Sequence, residues 1–71
     1  MKVALFMILC SGVANNCLDP IKINTYNDFY ECMGAGYLGS YKKNEDIGAA
    51  DVNEYRMYIK FMCADEKGEQ V

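Results

Sequence analysis

Histidine and tryptophan are both absent from this sequence of 71 residues. Histidine is the side chain most often used as a general acid or base near neutral pH, and it is the commonest metal ligand. No motif in the chain pairs a nucleophile with a base. We therefore expect a protein that is not an enzyme, with no catalytic residue, no metal site and no cofactor.

Basic charge is also scarce, because Lys and Arg total 7 against 10 Asp and Glu, which leaves a net charge of −3. Binding to a phosphate backbone requires a positively charged surface. Nucleic acid is therefore not an expected partner.

Cysteine, in contrast, is plentiful for so short a chain, with Cys10, Cys17, Cys32 and Cys63. A domain of this size buries only roughly 60% of its unfolded surface and commonly depends on disulfides or a structural metal. No C-x-x-C knuckle is present, so the pattern favours disulfides over zinc. Reduced thiols remain an alternative for a protein kept in the cytosol.

The first 14 residues contain one lysine and then a continuous apolar run, and two interpretations are open. Lys2, the apolar run and the small residues before Asn15 are typical of a secretory signal peptide. A short apolar run bounded by Ser11 and Gly12 is equally typical of a strand buried on both faces. The run is too short to cross a bilayer as a helix, which needs about 20 residues.

Residues 55–63 alternate between apolar and more polar side chains, a period of two that predicts a strand with one buried face. A strand without a partner would leave its backbone groups unpaired, so we favour the interpretation of the N-terminal run as its partner strand. The polar residues 65–71 are expected to form a C-terminal tail.

An amphipathic helix is predicted between these strands, from a stripe of apolar residues at helical spacing: Tyr26, Phe29, Tyr30, Met33, Tyr37, Tyr41 and Ile47. Thr25 is the expected N-cap, and Gly48 the expected glycine at the end of the helix. The stripe predicts that most of the aromatic side chains pack in the core. Gly36 and Ser40 are also expected to face the sheet, whereas Gly34 and Gly39 are expected mainly to weaken the helix.

These elements predict a single small α/β domain over residues 1–64, in which two parallel strands pack on one long helix as a β-α-β unit. Parallel strands would bring Cys10 and Cys63 to the same end of the sheet. The helix would begin at that end, so Cys17 and Cys32 could approach each other. The preferred pairing is therefore Cys10–Cys63 and Cys17–Cys32, although the sequence leaves other pairings open.

Two further patterns suggest ligands but lack the necessary context. Residues 34–39 match the dinucleotide fingerprint G-x-G-x-x-G, yet they follow a helical pattern rather than a strand. The acidic residues Glu45, Asp46, Asp51 and Glu54 lack the spacing of a calcium loop and are interpreted as a solvated turn.

Several segments together resemble a group of short uncharacterised cysteine-containing proteins of marine tailed phages, including cyanophages. The segments are Cys10-Ser11, Cys17 with Pro20, residues 26–32, Gly36-Tyr37 with Ser40, Ile47-Gly48, Val52-Asn53 and residues 58–63. The resemblance implies a viral accessory protein and brings no known activity. The chain departs from it in the glycine-rich residues 34–39, which puts the regularity of the central helix in question.

A two-stranded sheet has open edges, which favour dimerisation or the addition of a partner's strand. We therefore expect an accessory protein that binds a host or phage protein, with Arg56, Tyr58 and Lys60 as candidate interface residues. The alternative is an exported or membrane-associated disulfide protein. The sequence leaves the compartment open between the periplasm or exterior and the host cytoplasm.

Overall fold

A computed structural model describes residues 2–65, which form one four-stranded antiparallel sheet and two helices. The elements follow the order β1 (Val3–Ser11), β2 (Asn16–Cys17), β3 (Ile21–Tyr26), α1 (Phe29–Ile47), α2 (Ala49–Tyr55) and β4 (Met57–Asp65). Strand β4 therefore includes Asp65, the first residue of the predicted tail, and the rest of that tail lies outside the described residues.

Strand β1 is the centre of the sheet. It pairs with β4 along its whole length, from Val3 opposite Asp65 to Ser11 opposite Met57. The opposite edge of β1 pairs with two strands, with β3 over Val3 to Met7 and with β2 at Cys10 and Ser11. The apolar N-terminal run thus forms a strand, and burial of Val3, Ala4 and Leu5 explains why its sequence lacks an alternating pattern.

The prediction of two parallel strands on one helix is wrong, because β1 and β4 are antiparallel. The physical reason is β3, a strand of six residues that is absent from the predicted β-α-β unit and includes Tyr26, which was expected to lie in the helix. Both β3 and β4 run antiparallel to β1, so they are parallel to each other. The helical crossover therefore connects β3 to β4, with β1 between them.

Helix α1 begins later than predicted, because Tyr26 and the expected cap Thr25 belong to β3. The N-cap is Asp28, whose Oδ1 accepts a hydrogen bond of 2.8 Å from the backbone N–H of Glu31. The helix ends before Gly48, as predicted, and this residue has a positive φ of 94°. A second helix, α2, follows directly, so the expectation of a single helix is also wrong.

The small residues of α1 face the sheet, and its tyrosines face solvent. Cys32 and Gly36 are fully buried, whereas Tyr30, Tyr37 and Tyr41 are exposed. The prediction that most aromatic residues pack in the core is therefore wrong. The core instead consists of Val3, Leu5 and Cys32, packed against a shell of partly buried side chains that includes Met7, Tyr26, Ala35, Phe61 and Cys63.

The close approach of α1 to the sheet explains this choice of face. A Cβ built on Gly36 would lie 2.2 Å from Cε1 of Phe61, and one on Gly39 would lie 2.6 Å from Cε of Met7. The sheet side chains already fill the space beneath α1, so only small residues fit there. The expected inward position of Gly36 is confirmed, whereas Gly39, which was expected mainly to weaken the helix, also has a packing role against Met7.

All four cysteines form disulfides, but in a different pairing from the preferred one. The structure joins Cys10 to Cys17 and Cys32 to Cys63. Cys10 and Cys17 are directly opposite each other in the β1–β2 ladder. Cys63 is opposite Leu5 and faces α1, whereas Cys10 points to the other face of the sheet by the alternation of β1. Cys10 and Cys63 therefore cannot meet.

Candidate protein-binding surfaces

The outer edge of β4 is the first candidate surface. The backbone N–H of Gly12 donates to the carbonyl oxygen of Arg56 at 2.9 Å, which fixes the phase of the β1–β4 ladder. By the alternation of an antiparallel ladder, the peptide groups of Tyr58 and Lys60 then point to β1 and those of Ile59 and Phe61 point outward. Within residues 2–65, β4 pairs with β1 alone. Its outer edge is therefore open to a further strand.

The sheet face opposite α1 borders this edge. By alternation, Tyr58, Lys60 and Met62 of β4 lie on it, and Met62 and Lys60 are paired with Phe6 and Ile8 of β1. These five residues define the open sheet face. Tyr58 and Met62 are each about half exposed, while Phe6 and Ile8 are partly buried. An exposed apolar area that borders an open strand edge is typical of an interaction surface.

The structure places the three predicted interface residues at two different locations. Tyr58 and Lys60 share the open sheet face. Arg56 lies beyond the start of β4, where it ends α2 in the left-handed backbone conformation with φ of 51°. Its Cβ would be 3.0 Å from a Cβ added to Gly12. Arg56 therefore has a clear structural position at the α2–β4 turn, apart from the other two.

The outer side of α1 is a second candidate surface, and sequence analysis missed it. It consists of Tyr30, Gly34, Tyr37, Leu38 and Tyr41, which we call the tyrosine face. Its four large side chains are between 62% and 89% exposed. The ring of Tyr37 also contacts Phe61 edge-on, with 5.0 Å between ring centroids, which anchors one member of the face. The spacing of the small residues on the opposite side of α1 was the signal that could have revealed it.

A groove of about 450 Å³ separates the C-terminal half of α1 from the sheet. Its walls include Met7, Leu9 and Ile59. The rim carries two lysines and two aspartates: Lys42, Lys43, Asp19 and Asp46. These charges balance, so the rim offers no net charge to select an ionic ligand.

The residues considered for ligands are placed elsewhere in the fold. Gly34 and Gly39 lie inside α1 rather than in a strand-to-helix turn, so the context of a dinucleotide fingerprint is missing. All four cysteines are in disulfides. In the described part of the chain, no group of three or more acidic, cysteine or histidine residues could hold a metal ion.

No helix within residues 2–65 is both long and apolar enough to span a membrane. Comparisons of the chain with protein families, curated proteins and solved structures gave no match. Residues 2–65 thus form a small, disulfide-bonded antiparallel sheet with α1 packed on one of its faces. The function of the protein has to be inferred from these surfaces.

Proposed function

We propose that this protein acts by binding another protein, whose extended segment adds to the open edge of β4. The observation that carries the proposal is the outer edge of β4 over residues 57–63, which pairs with no further strand within the described part of the chain and borders the open sheet face. An added strand forms main-chain hydrogen bonds that supply affinity, while alternate side chains supply specificity. The resemblance to phage proteins supports a role as a viral accessory protein that binds a host or phage protein.

The side chains of the open sheet face define the chemistry of the partner segment. A strand added to β4 places every second side chain beside Tyr58, Lys60 and Met62. Cross-strand pairs of opposite charge, and pairs of an aromatic with a β-branched residue, are favourable. The preferred partner is therefore a strand with an acidic residue next to Lys60 and apolar residues next to Tyr58 and Met62.

Binding can be tested with displayed random peptides, selected against the protein with its disulfides intact. We expect the selected peptides to alternate apolar and acidic residues. Hydrogen exchange followed by NMR should then show new protection of the Ile59, Phe61 and Cys63 amides on binding. The Tyr58 and Lys60 amides already point to β1 and should change little. Selection of no peptide, or protection confined to another surface, contradicts the proposal.

A matched pair of variants tests the role of charge. Lys60→Glu should weaken binding of an acidic selected peptide by about tenfold, because it replaces an attractive cross-strand pair with a repulsive one. Lys43→Glu makes the same change of charge on α1 and should leave the affinity unchanged. If both variants weakened binding equally, the peptide would be attracted by the overall charge of the protein and not by Lys60 on β4.

Export is the second candidate function, and the two disulfides favour it, because such bonds persist mainly in oxidising compartments. Non-reducing intact-mass analysis of protein recovered from its natural host provides the test. A chain that contains residues 3–11 and both disulfides would support folding of the described domain in an oxidising compartment. A chain beginning at Asn15 would lack β1 and would exclude the described fold for the mature protein.

A further inference from the structure

We propose that a second copy of this chain packs against the tyrosine face of α1, with the two α1 helices antiparallel, to form a symmetric dimer. This contact is separate from the β4 edge. The tyrosine face lies on the side of α1 away from the sheet, so dimerisation through it leaves both β4 edges open to partner strands.

The exposed side chains of the tyrosine face supply most of the area that a dimer requires. An aromatic side chain can bury 150–250 Å², so the exposed parts of Tyr30, Tyr37, Leu38 and Tyr41 together offer on the order of 500 Å². A stable interface buries about 800 Å² on each partner, including a polar rim. These four side chains therefore supply most of the required area. Tyrosine is also among the residues enriched at the centre of interfaces.

The shape of the tyrosine face is self-complementary. A Cβ added to Gly34 would meet nothing within 4 Å, so this position is open space, and it lines one cleft with Tyr30 and Tyr37. In an antiparallel pair centred between Gly34 and Tyr37, the exposed part of the Tyr37 ring packs over the partner's Gly34 while the ring keeps its contact with Phe61. The same alignment places Tyr30 beside the partner's Tyr41. Insertion of a side chain into a hole between helices is the usual packing of paired helices.

Charge selects the antiparallel arrangement. At 100° per residue, the exposed residues Glu31 and Lys42 flank the tyrosine face on the same side of α1, one in each half of the helix. Antiparallel packing brings the same flanks of the two helices together, so Glu31 meets the partner's Lys42. The two-fold axis forms this pair twice. A parallel arrangement would bring identical ends of the helices together and would form neither pair.

A charge-swap series measured by sedimentation equilibrium tests the dimer. Glu31→Lys and Lys42→Glu should each weaken dimerisation by about tenfold, because each converts two attractive pairs into repulsive ones. The double variant restores opposite charges and should dimerise nearly as well as the unmodified chain. Lys43→Glu, outside the tyrosine face, should have no effect. A monomer at all concentrations, or a double variant weaker than both single variants, would overturn the proposal.

Gly34→Ala provides a second measurement that misfolding cannot imitate. The added methyl group fills the open space over which Tyr37 packs, so dimerisation should weaken. The same substitution should raise the stability of the isolated chain, because alanine favours helix more than glycine does. A dimer unaffected by Gly34→Ala contradicts the proposed packing. Peptide binding at β4 is measured separately, so failure of the dimer and failure of strand addition are distinguishable.

Discussion

Gly36 of α1 lies directly against the ring of Phe61 in β4, and this contact sets the distance between the helix and the sheet. A Cβ on Gly36 would clash with three carbons of this ring, Cε1, Cδ1 and Cζ. The ring also makes an edge-on contact with Tyr37, the next residue of α1. Neither the ring nor the helix can move without disturbing the core around Cys32.

Gly36→Ala should therefore destabilise the protein although alanine is the better helix former. Overpacking of this kind costs roughly 1–3 kcal/mol. Gly34→Ala on the exposed side is the matched control and should stabilise the isolated chain by up to about 1 kcal/mol. Urea unfolding of both variants at concentrations below dimerisation provides the measurement. Changes of equal sign would contradict the described orientation of α1.

Removal of the Cys32–Cys63 disulfide should cost more stability than removal of the Cys10–Cys17 disulfide. The sequence separations are 31 and 7 residues, and the entropy of the closed loops predicts losses of about 3.7 and about 2.5 kcal/mol. Thermal unfolding of the two double Cys→Ala variants tests the order. Peptide mapping without reduction tests the pairing itself, and a Cys10–Cys63 bond would contradict the structure.

Asp28→Ala should weaken α1 at its start. Asp28 accepts a hydrogen bond from the backbone N–H of Glu31, and loss of such a cap costs about 1 kcal/mol. Asp46→Ala removes the same side chain near the other end of α1, where a negative charge is unfavourable to the helix dipole. The control variant should be neutral or slightly more stable. Chemical denaturation that shows equal losses for both would place the start of the helix elsewhere.

Gly48→Ala should destabilise the junction between α1 and α2. Gly48 has φ of 94° and ψ of 153°, a backbone conformation that is essentially open only to glycine. Space is not the cause, since a Cβ there meets nothing within 4 Å. The expected loss is roughly 1–3 kcal/mol in urea unfolding. A neutral result would show that the junction adopts a different conformation in solution.

The two long strands could be predicted from sequence because each carries a signal of its own. The N-terminal run is continuous because its first residues are buried on both faces, and residues 55–63 alternate because β4 has one exposed face. Their relative direction could not be predicted, because it depends on β3. The sequence of β3 is as polar as that of a loop, because it contains Lys22, Asn24 and Thr25. In the sheet, β3 is an edge strand that pairs with β1.

The inward face of α1 could not be predicted from hydrophobicity alone. The helix carries Cys32 and Ala35 on one side and Tyr30 and Tyr37 on the other, so apolar residues nearly surround it. The face of α1 that packs on the sheet is determined by the space available above Phe61. That space exists only once the sheet has assembled, so it cannot be read from the sequence of the helix. For the same reason the tyrosine face was missed, whereas Tyr58 and Lys60 were correctly placed together on the less buried face of the last strand.

The two disulfides close separate rings, because the segments 10–17 and 32–63 do not overlap. A protease that cuts between residues 33 and 62 would therefore leave both fragments covalently joined. A single cut at Lys22, between the rings, would leave the fragments connected only by the hydrogen bonds and packing of the sheet. Resistance to proteolysis is therefore determined by how well the β1–β3 ladder, in which Lys22 is opposite Phe6, keeps this segment in place.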